Sequence, residues 1–181
     1  MQYFIKWASK ETSVKYRIAI LGLGAILFPL LIPIFLIQIM PRLDAMIGIG
    51  SFYYGYINIV IGAILIIVGG TLAFWTIYLQ LHIGSGTPFP MVPTKKLIIT
   101  GPFAICRNPM TLGTIFAYLG LSVIIGSISS IICVLTFAAL LLLYVKGIEE
   151  KELTNRFGTE YTQYKSRTPF IIPNIFPLGK K

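Results

Sequence analysis

Charge is what this sequence has least of. Only 12% of its 181 residues are Asp, Glu, Lys or Arg, where a soluble domain carries about 25%. No charge falls between Arg17 and Arg42, between Asp44 and Lys95, or between Arg107 and Lys146, gaps of 24, 50 and 38 residues. A membrane-crossing helix takes roughly 20 apolar residues. The first gap holds one helix, the second one long helix plus loops, and the third two short helices around a tight turn. Histidine occurs once, at His82, so a histidine metal site lacks partners and no metal ligands are expected. Two cysteines, Cys106 and Cys133, make no disulfide framework and read as unpaired thiols, Cys133 as packing within a span. A cleavable leader is not expected. The apolar run over 18–40 exceeds a signal core of roughly 7–15 residues and lacks a small-residue cleavage site.

What remains is 56% hydrophobic residues in long runs and a net charge of +9. Such a charge also suits nucleic-acid binding, but its distribution argues for a bilayer. With four spans, 14 basic residues fall on one side (four before the first span, Lys95, Lys96 and Arg107 in the long loop, seven in the tail). Arg42 alone falls on the other. The positive-inside rule then places both termini and the long loop in the cytoplasm of a multi-pass inner or plasma membrane protein. Residues 1–17 mix aromatics with lysines, as an interfacial segment does.

The first span is expected over 18–40, bent by Pro29 and Pro33. Its "GLGAIL" superficially matches a dinucleotide loop. That motif needs a strand before it and a soluble helix after it, so Gly22 and Gly24 are read as helix-packing positions. The second span lies within 53–83, with tyrosines at one end and Trp75 and Tyr78 near the other. Gly62, Gly69 and Gly70 are its small contact points. The loop over 84–108 is long for a connector, and its prolines and apolar residues predict order. A helical hairpin follows over 109–125 and 128–144, turning at Gly126-Ser127. In the tail, steps of three and four residues place Lys146, Glu150, Leu153, Phe157, Tyr161 and Tyr164 on one stripe, bordered by Glu149. Gly158 is a candidate break.

Chemistry concentrates at the mouth of the hairpin. In "GPFAICRNPMTLG", residues 101–113, Asn108 is a favoured helix cap and Pro109 a favoured first helical residue. A helix start presents unpaired N–H groups and partial positive charge, which attract carboxylates, and Arg107 adds a full cation. Glu149 and Glu150 follow the hairpin's other end. The hairpin brings both ends together at the membrane face, one pole for an anion and one for a cation or diol, above an apolar floor. S-adenosylmethionine suits such a site: its carboxylate the helix start and Arg107, its ammonium or ribose a glutamate, its adenine the apolar walls. The residues alone do not separate it from other zwitterions.

The ordered set Gly101-Pro102-Phe103, Arg107-Asn108-Pro109, Gly113, Glu149-Glu150, Leu153, Phe157-Gly158, Tyr161, Tyr164, Pro169 and Pro173 resembles the integral-membrane isoprenylcysteine carboxyl methyltransferase and phospholipid methyltransferase group, prokaryotic-type members included. The resemblance runs over roughly the last hundred residues. It implies an all-α integral membrane protein of about four transmembrane helices and one domain. Two spans lie in 18–83, a cytoplasmic cofactor loop in 84–108, the hairpin in 109–145 and a cytoplasmic helix and tail in 146–181. It implies S-adenosylmethionine as cofactor, bordered by Lys96, Leu97, Ile98, Phe103, Asn108, Pro109, Met110 and Thr111, with Glu149 or Glu150 holding its polar part. Periodicity favours Glu150 inward, and both glutamates are carried. Arg107 and Lys146 are the cations expected beside the reacting groups.

The implied reaction is direct displacement at a sulfonium methyl, which depends on alignment at about 3 Å. The acceptor is a lipophilic or small molecule: a prenylated cysteine, a lipid amine, a small thiol or a quinone-like lipid. Asn108 stands where isoprenylcysteine enzymes have His, Thr111 where Tyr is usual, and Val145-Lys146 where an Arg often precedes the doublet. These departures bear on the isoprenylcysteine acceptor rather than on the cofactor. Two other readings compete. Membrane sterol reductases share an "FG-x-x-Y" tail but use NADPH, and a non-catalytic lipid-binding scaffold would leave the three charged residues as solvated interface groups.

Overall fold

The computed structural model describes residues 19, 22–24, 26–87 and 92–172. The expected interfacial segment 1–17 and Pro173 lie outside the described residues, as do 88–91 of the long loop. Among the described residues every regular element is helical. We number them α1 (Gly22–Met46), α2 (Tyr56–His82), α3 (Pro102–Ile105), α4 (Pro109–Ile125), α5 (Ile128–Tyr144) and α6 (Glu150–Arg167). Three rods are long and apolar enough to cross a membrane: α1, α2 and the 40-residue continuation of α5 into α6. The apolar α4 is shorter, at 17 residues, about 25 Å of helix against a hydrocarbon core of about 30 Å.

The first span runs six residues past its expected end at Met40. Pro41 is tolerated there because it enters the first turn of Met40–Met46, after a break at Ile39. The two upstream prolines act through a π-turn, Leu27–Leu31. Within it the N–H of Ile32 reaches back five residues to Leu27. The next such donor would be Pro33, which has no N–H, so the Phe28 carbonyl needs another partner. The Tyr118 hydroxyl of α4 supplies it at 2.8 Å. A helix irregularity thus becomes a contact between spans. Around it lies the core of Leu36, Met40, Tyr118 and Val134.

α2 and α4 run antiparallel in the closest contact of the bundle. Gly62 faces Gly120 and Gly69 faces Gly113, two pairs seven residues apart on each helix. A Cβ built on Gly62 would lie 2.5 Å from the Gly120 carbonyl, and one on Gly120 would lie 2.6 Å from the Gly62 carbonyl. The Gly69 and Gly113 backbones meet in the same reciprocal way. Absence of side chains at these four positions is what lets the backbones touch. Gly22 and Gly70 have no such neighbour.

The hairpin turns where the sequence places the turn. Gly126 ends α4 in the left-handed region, φ 70°, which glycine adopts without steric cost. Ser127 starts α5 by accepting from the Ser130 N–H at 3.1 Å. The Asp44 carboxylate closes the same start, taking the Ser127 hydroxyl at 2.5 Å and the Ser129 N–H at 3.0 Å. Asn58 of α2 donates to the Val123 carbonyl at the end of α4, 2.7 Å away. These polar contacts tie α1 to α5 and α2 to α4 at one end of the bundle. The site lies at the other.

Candidate functional site

α4 begins at Pro109 with Asn108 in the cap position. The Asn108 side chain does not cap. Its Nδ2 donates to the Phe170 carbonyl at 2.8 Å, so the expected capping bond is replaced by one to the tail. The Leu112 N–H bonds to the Asn108 carbonyl at 3.1 Å, but Met110 and Thr111 come too early in the helix for an intrahelical acceptor. Both line a cavity of about 230 Å³ at this end of the bundle.

The cavity draws on every helix among the described residues. Asn108 to Thr111 and Thr114 come from α4, Leu141 and Tyr144 from α5, and Val145 and Glu149 from the π-turn Val145–Glu149. Glu152, Leu153 and Arg156 come from α6, Phe103 from α3, Thr76 and Gln80 from α2, and Phe28 from α1. Thr87, Pro93 and Thr94 of the long loop close the wall. Part of that loop is held by backbone bonds from Lys95 to Gly84 at 2.6 Å and from Thr87 to Val92 at 2.7 Å.

The glutamate doublet is divided. Glu150, 3% exposed, accepts from Arg107 at 2.7 Å and from Lys165 at 2.7 Å. Arg107 also donates to the Lys165 and Thr168 carbonyls at 2.8 and 2.7 Å, and its N–H bonds to the Pro169 carbonyl at 2.9 Å. Its guanidinium lies 5.7 Å from the centre of the Phe170 ring. Tyr164 donates to the Phe103 carbonyl at 2.7 Å, and Tyr161 is buried beside Glu150. Burial raises the pKa of both phenols, and Glu150 adds to the rise at Tyr161. The arginine motif, the second glutamate and the tail therefore form one closed polar knot.

Glu149 lines the cavity and forms no ion pair among the described residues. Burial, then the charges of Glu152 and Glu150, push its carboxyl up to about 7, with Arg156 opposing. Arg156 is engaged by Glu152 at 3.2 Å and by the Thr94 carbonyl. The wall thus presents one carboxylate in want of a cation, facing a helix start that favours an anion.

Of the residues singled out from sequence, Arg107, Phe103, Asn108, Pro109, Met110, Thr111 and Glu149 meet in this cavity. Lys96, Leu97, Ile98, Lys146 and Glu150 do not line it. Lys96 and Lys146 are exposed, and Ile98 is buried near Gly84. Gly158 interrupts α6 with φ 55°. Cys106 is fully buried, which raises its thiol pKa. Sequence reasoning passed over Glu152 and Arg156, although 149, 152 and 156 repeat at helical spacing. For Thr76 and Gln80 of α2 the only signal is a polar residue inside an apolar span.

Comparison with curated proteins and with solved structures gives no match. A family model described as phospholipid methyltransferase matches residues 57–160, more than half of the chain. The match takes in α2, the long loop, the hairpin, the π-turn and the first half of α6, and so most of the cavity wall. On that match the chain belongs to the phospholipid methyltransferase family, whose work is methyl transfer at a membrane.

Proposed function

We propose that the chain is an S-adenosylmethionine-dependent membrane methyltransferase acting on a lipophilic or small acceptor. The carrying observation is the pairing of an uncapped helix start, at Met110 and Thr111, with the free carboxylate of Glu149 across one cavity. These are the two poles that an amino-acid zwitterion bearing a sulfonium requires. Phe103, Val145 and Leu153 supply apolar wall between them. The cavity volume, about 230 Å³, sits just below the roughly 300–1,000 Å³ of small-molecule pockets. When bound, S-adenosylmethionine supplies an electrophilic methyl group.

The chain's own part is to hold and align. Met110 and Thr111 offer N–H groups to a carboxylate. Glu149 attracts positive charge, and Glu152 is kept in place by Arg156. Arg107, with its donors committed to Glu150 and to tail carbonyls, acts as a positioning residue. Lys146 is exposed and does not line the cavity, so it takes no part. Phe28, Leu141 and Tyr144 belong to spans, so the same cavity has a wall on the bilayer side by which a lipophilic acceptor reaches it. Both termini and the cavity end lie in the cytoplasm.

The test is thermal shift of the purified full chain with S-adenosylmethionine and, separately, NADPH. It is followed by incubation with methyl-labelled S-adenosylmethionine and total membrane lipid. A shift with the first cofactor alone and a labelled lipid-soluble product are expected. No binding of S-adenosylmethionine at high micromolar concentration, or a shift with NADPH instead, overturns the reading.

A further inference from the structure

Gln80 sits two residues before the end of α2, one helical turn beyond Thr76, and lines the cavity. Its Oε1 is sealed from solvent and has no hydrogen-bond partner among the described residues. It is the one buried side-chain oxygen or nitrogen there of which this is true. A buried acceptor left unmade costs more than a hydrogen bond ordinarily contributes, so such atoms point to a use.

The described residues of the wall do not answer it. The Thr76 hydroxyl is spent on the Leu72 carbonyl at 2.7 Å, and the Thr87 hydroxyl reaches the Val92 carbonyl at 3.2 Å. Asn108 Nδ2 serves Phe170. Arg107 serves Glu150 and two tail carbonyls. Arg156 serves Glu152 and Thr94. The side-chain amide of Asn108 and the two guanidinium groups of the cavity are thus directed elsewhere. The Gln80 backbone is itself pinned by the Gly86 N–H at 3.1 Å, which fixes the base of the side chain.

We infer that Gln80 is a ligand-recognising residue whose side-chain oxygen accepts a hydrogen bond from an N–H or O–H of the molecule in the cavity. The inference rests on the methyltransferase reading of that cavity and adds a determinant to it. A carboxylate, thiolate or thioether cannot satisfy this oxygen, so the group placed against Gln80 is an amine, amide or hydroxyl. Two molecules can carry it: the cofactor or the methyl acceptor.

The experiment uses Gln80→Leu, Gln80→Met and Gln80→Glu in the full chain. Titration with S-adenosylmethionine gives cofactor affinity. Turnover on vesicles of total host phospholipid gives kcat/KM. If the donor belongs to the cofactor, the Leu and Met variants bind S-adenosylmethionine about tenfold to a hundredfold more weakly. If it belongs to the acceptor, cofactor affinity is unchanged and kcat/KM on vesicles falls by that factor. In both cases Gln80→Glu, which keeps an acceptor oxygen, stays closer to wild type. The ligand-free Tm of the Leu and Met variants also stays at or above wild type, because an unanswered acceptor has gone. Wild-type binding and turnover in the Leu and Met variants overturn the inference. So does a fall in ligand-free Tm and affinity together in all three, the signature of a merely structural residue. A wild-type chain that fails to bind S-adenosylmethionine instead sinks the methyltransferase reading, and this inference with it.

Discussion

Glu149 and Glu150 are neighbours in sequence with opposite employment. Glu150 is buried and doubly paired. Glu149 faces the cavity with its carboxyl pushed up to about 7 from an ordinary 4.5. Between those two values the folded chain holds a proton that the unfolded chain has released. The stabilisation from this group is therefore complete below pH 4.5 and is lost as pH rises through 7. The melting temperature of wild type falls across that window relative to Glu149→Gln, which stays neutral; parallel melting curves against pH would refute this assignment. A cationic ligand draws the carboxyl back to its ionised form. Affinity for S-adenosylmethionine accordingly tightens from about pH 6 to about pH 8 in wild type and stays flat in Glu149→Gln.

Arg107 illustrates the other employment. Its removal leaves Glu150 in a nearly dry site with Lys165 alone. Arg107→Ala is expected to cost about 3–5 kcal/mol in thermal or denaturant unfolding. Arg107→Lys recovers only part of that, since one ammonium does not reproduce a fork that reaches a carboxylate and two carbonyls. Full recovery by lysine would mean that charge, rather than geometry, holds the tail.

Among the helices, the α2–α4 pair depends on missing side chains. A methyl group at Gly69 meets the Ala117 nitrogen at 2.6 Å and the Phe116 Cβ at 2.9 Å, and neither backbone can yield without moving a span. Gly69→Ala is expected to destabilise by about 1–3 kcal/mol. Next to it Gly70 has nothing within 4 Å, so Gly70→Ala is neutral or gains up to about 1 kcal/mol of helix propensity. Equal effects of the two substitutions on Tm would rule out the glycine contact.

The hairpin was readable because its limits are marked by local chemistry: Pro109 at a first turn, Gly126 in a left-handed cap, Ser127 at a helix start. The division of the doublet was not readable. The π-turn over Val145–Glu149 adds a residue to one turn. A count of 3.6 from Lys146 to Glu150 therefore assigns them one face, while the structure leaves Lys146 exposed and Glu150 buried. Nothing in "VKGIEE" announces such a turn. Asn108 likewise has cap chemistry, and only the tail's approach shows why its amide goes elsewhere.

At the scale of the molecule, charge and length set the expected arrangement. The family and the helical class were legible in the ordered motifs and in the apolar runs. The partners of Asp44 were not, because they lie more than 80 residues away and no periodicity connects them. The polar caps at Asp44 and Asn58 and the cavity occupy opposite ends of the bundle, and the basic residues favour the cavity end. In a background with Cys106 and Cys133 replaced by alanine, Thr100→Cys is expected to react with an impermeant maleimide from the cytoplasmic side and Gly50→Cys from the opposite side. The reverse pattern would invert the topology.

The paired glycines of α2 and α4 have a further bearing on how anything enters. Two helices whose main chains touch at two points, two turns apart, cannot slide or part without collision or loss of both contacts. They serve as the stator. An opening for a greasy molecule is then expected away from this pair, on the side where Phe28 of α1 and Leu141 and Tyr144 of α5 line the cavity.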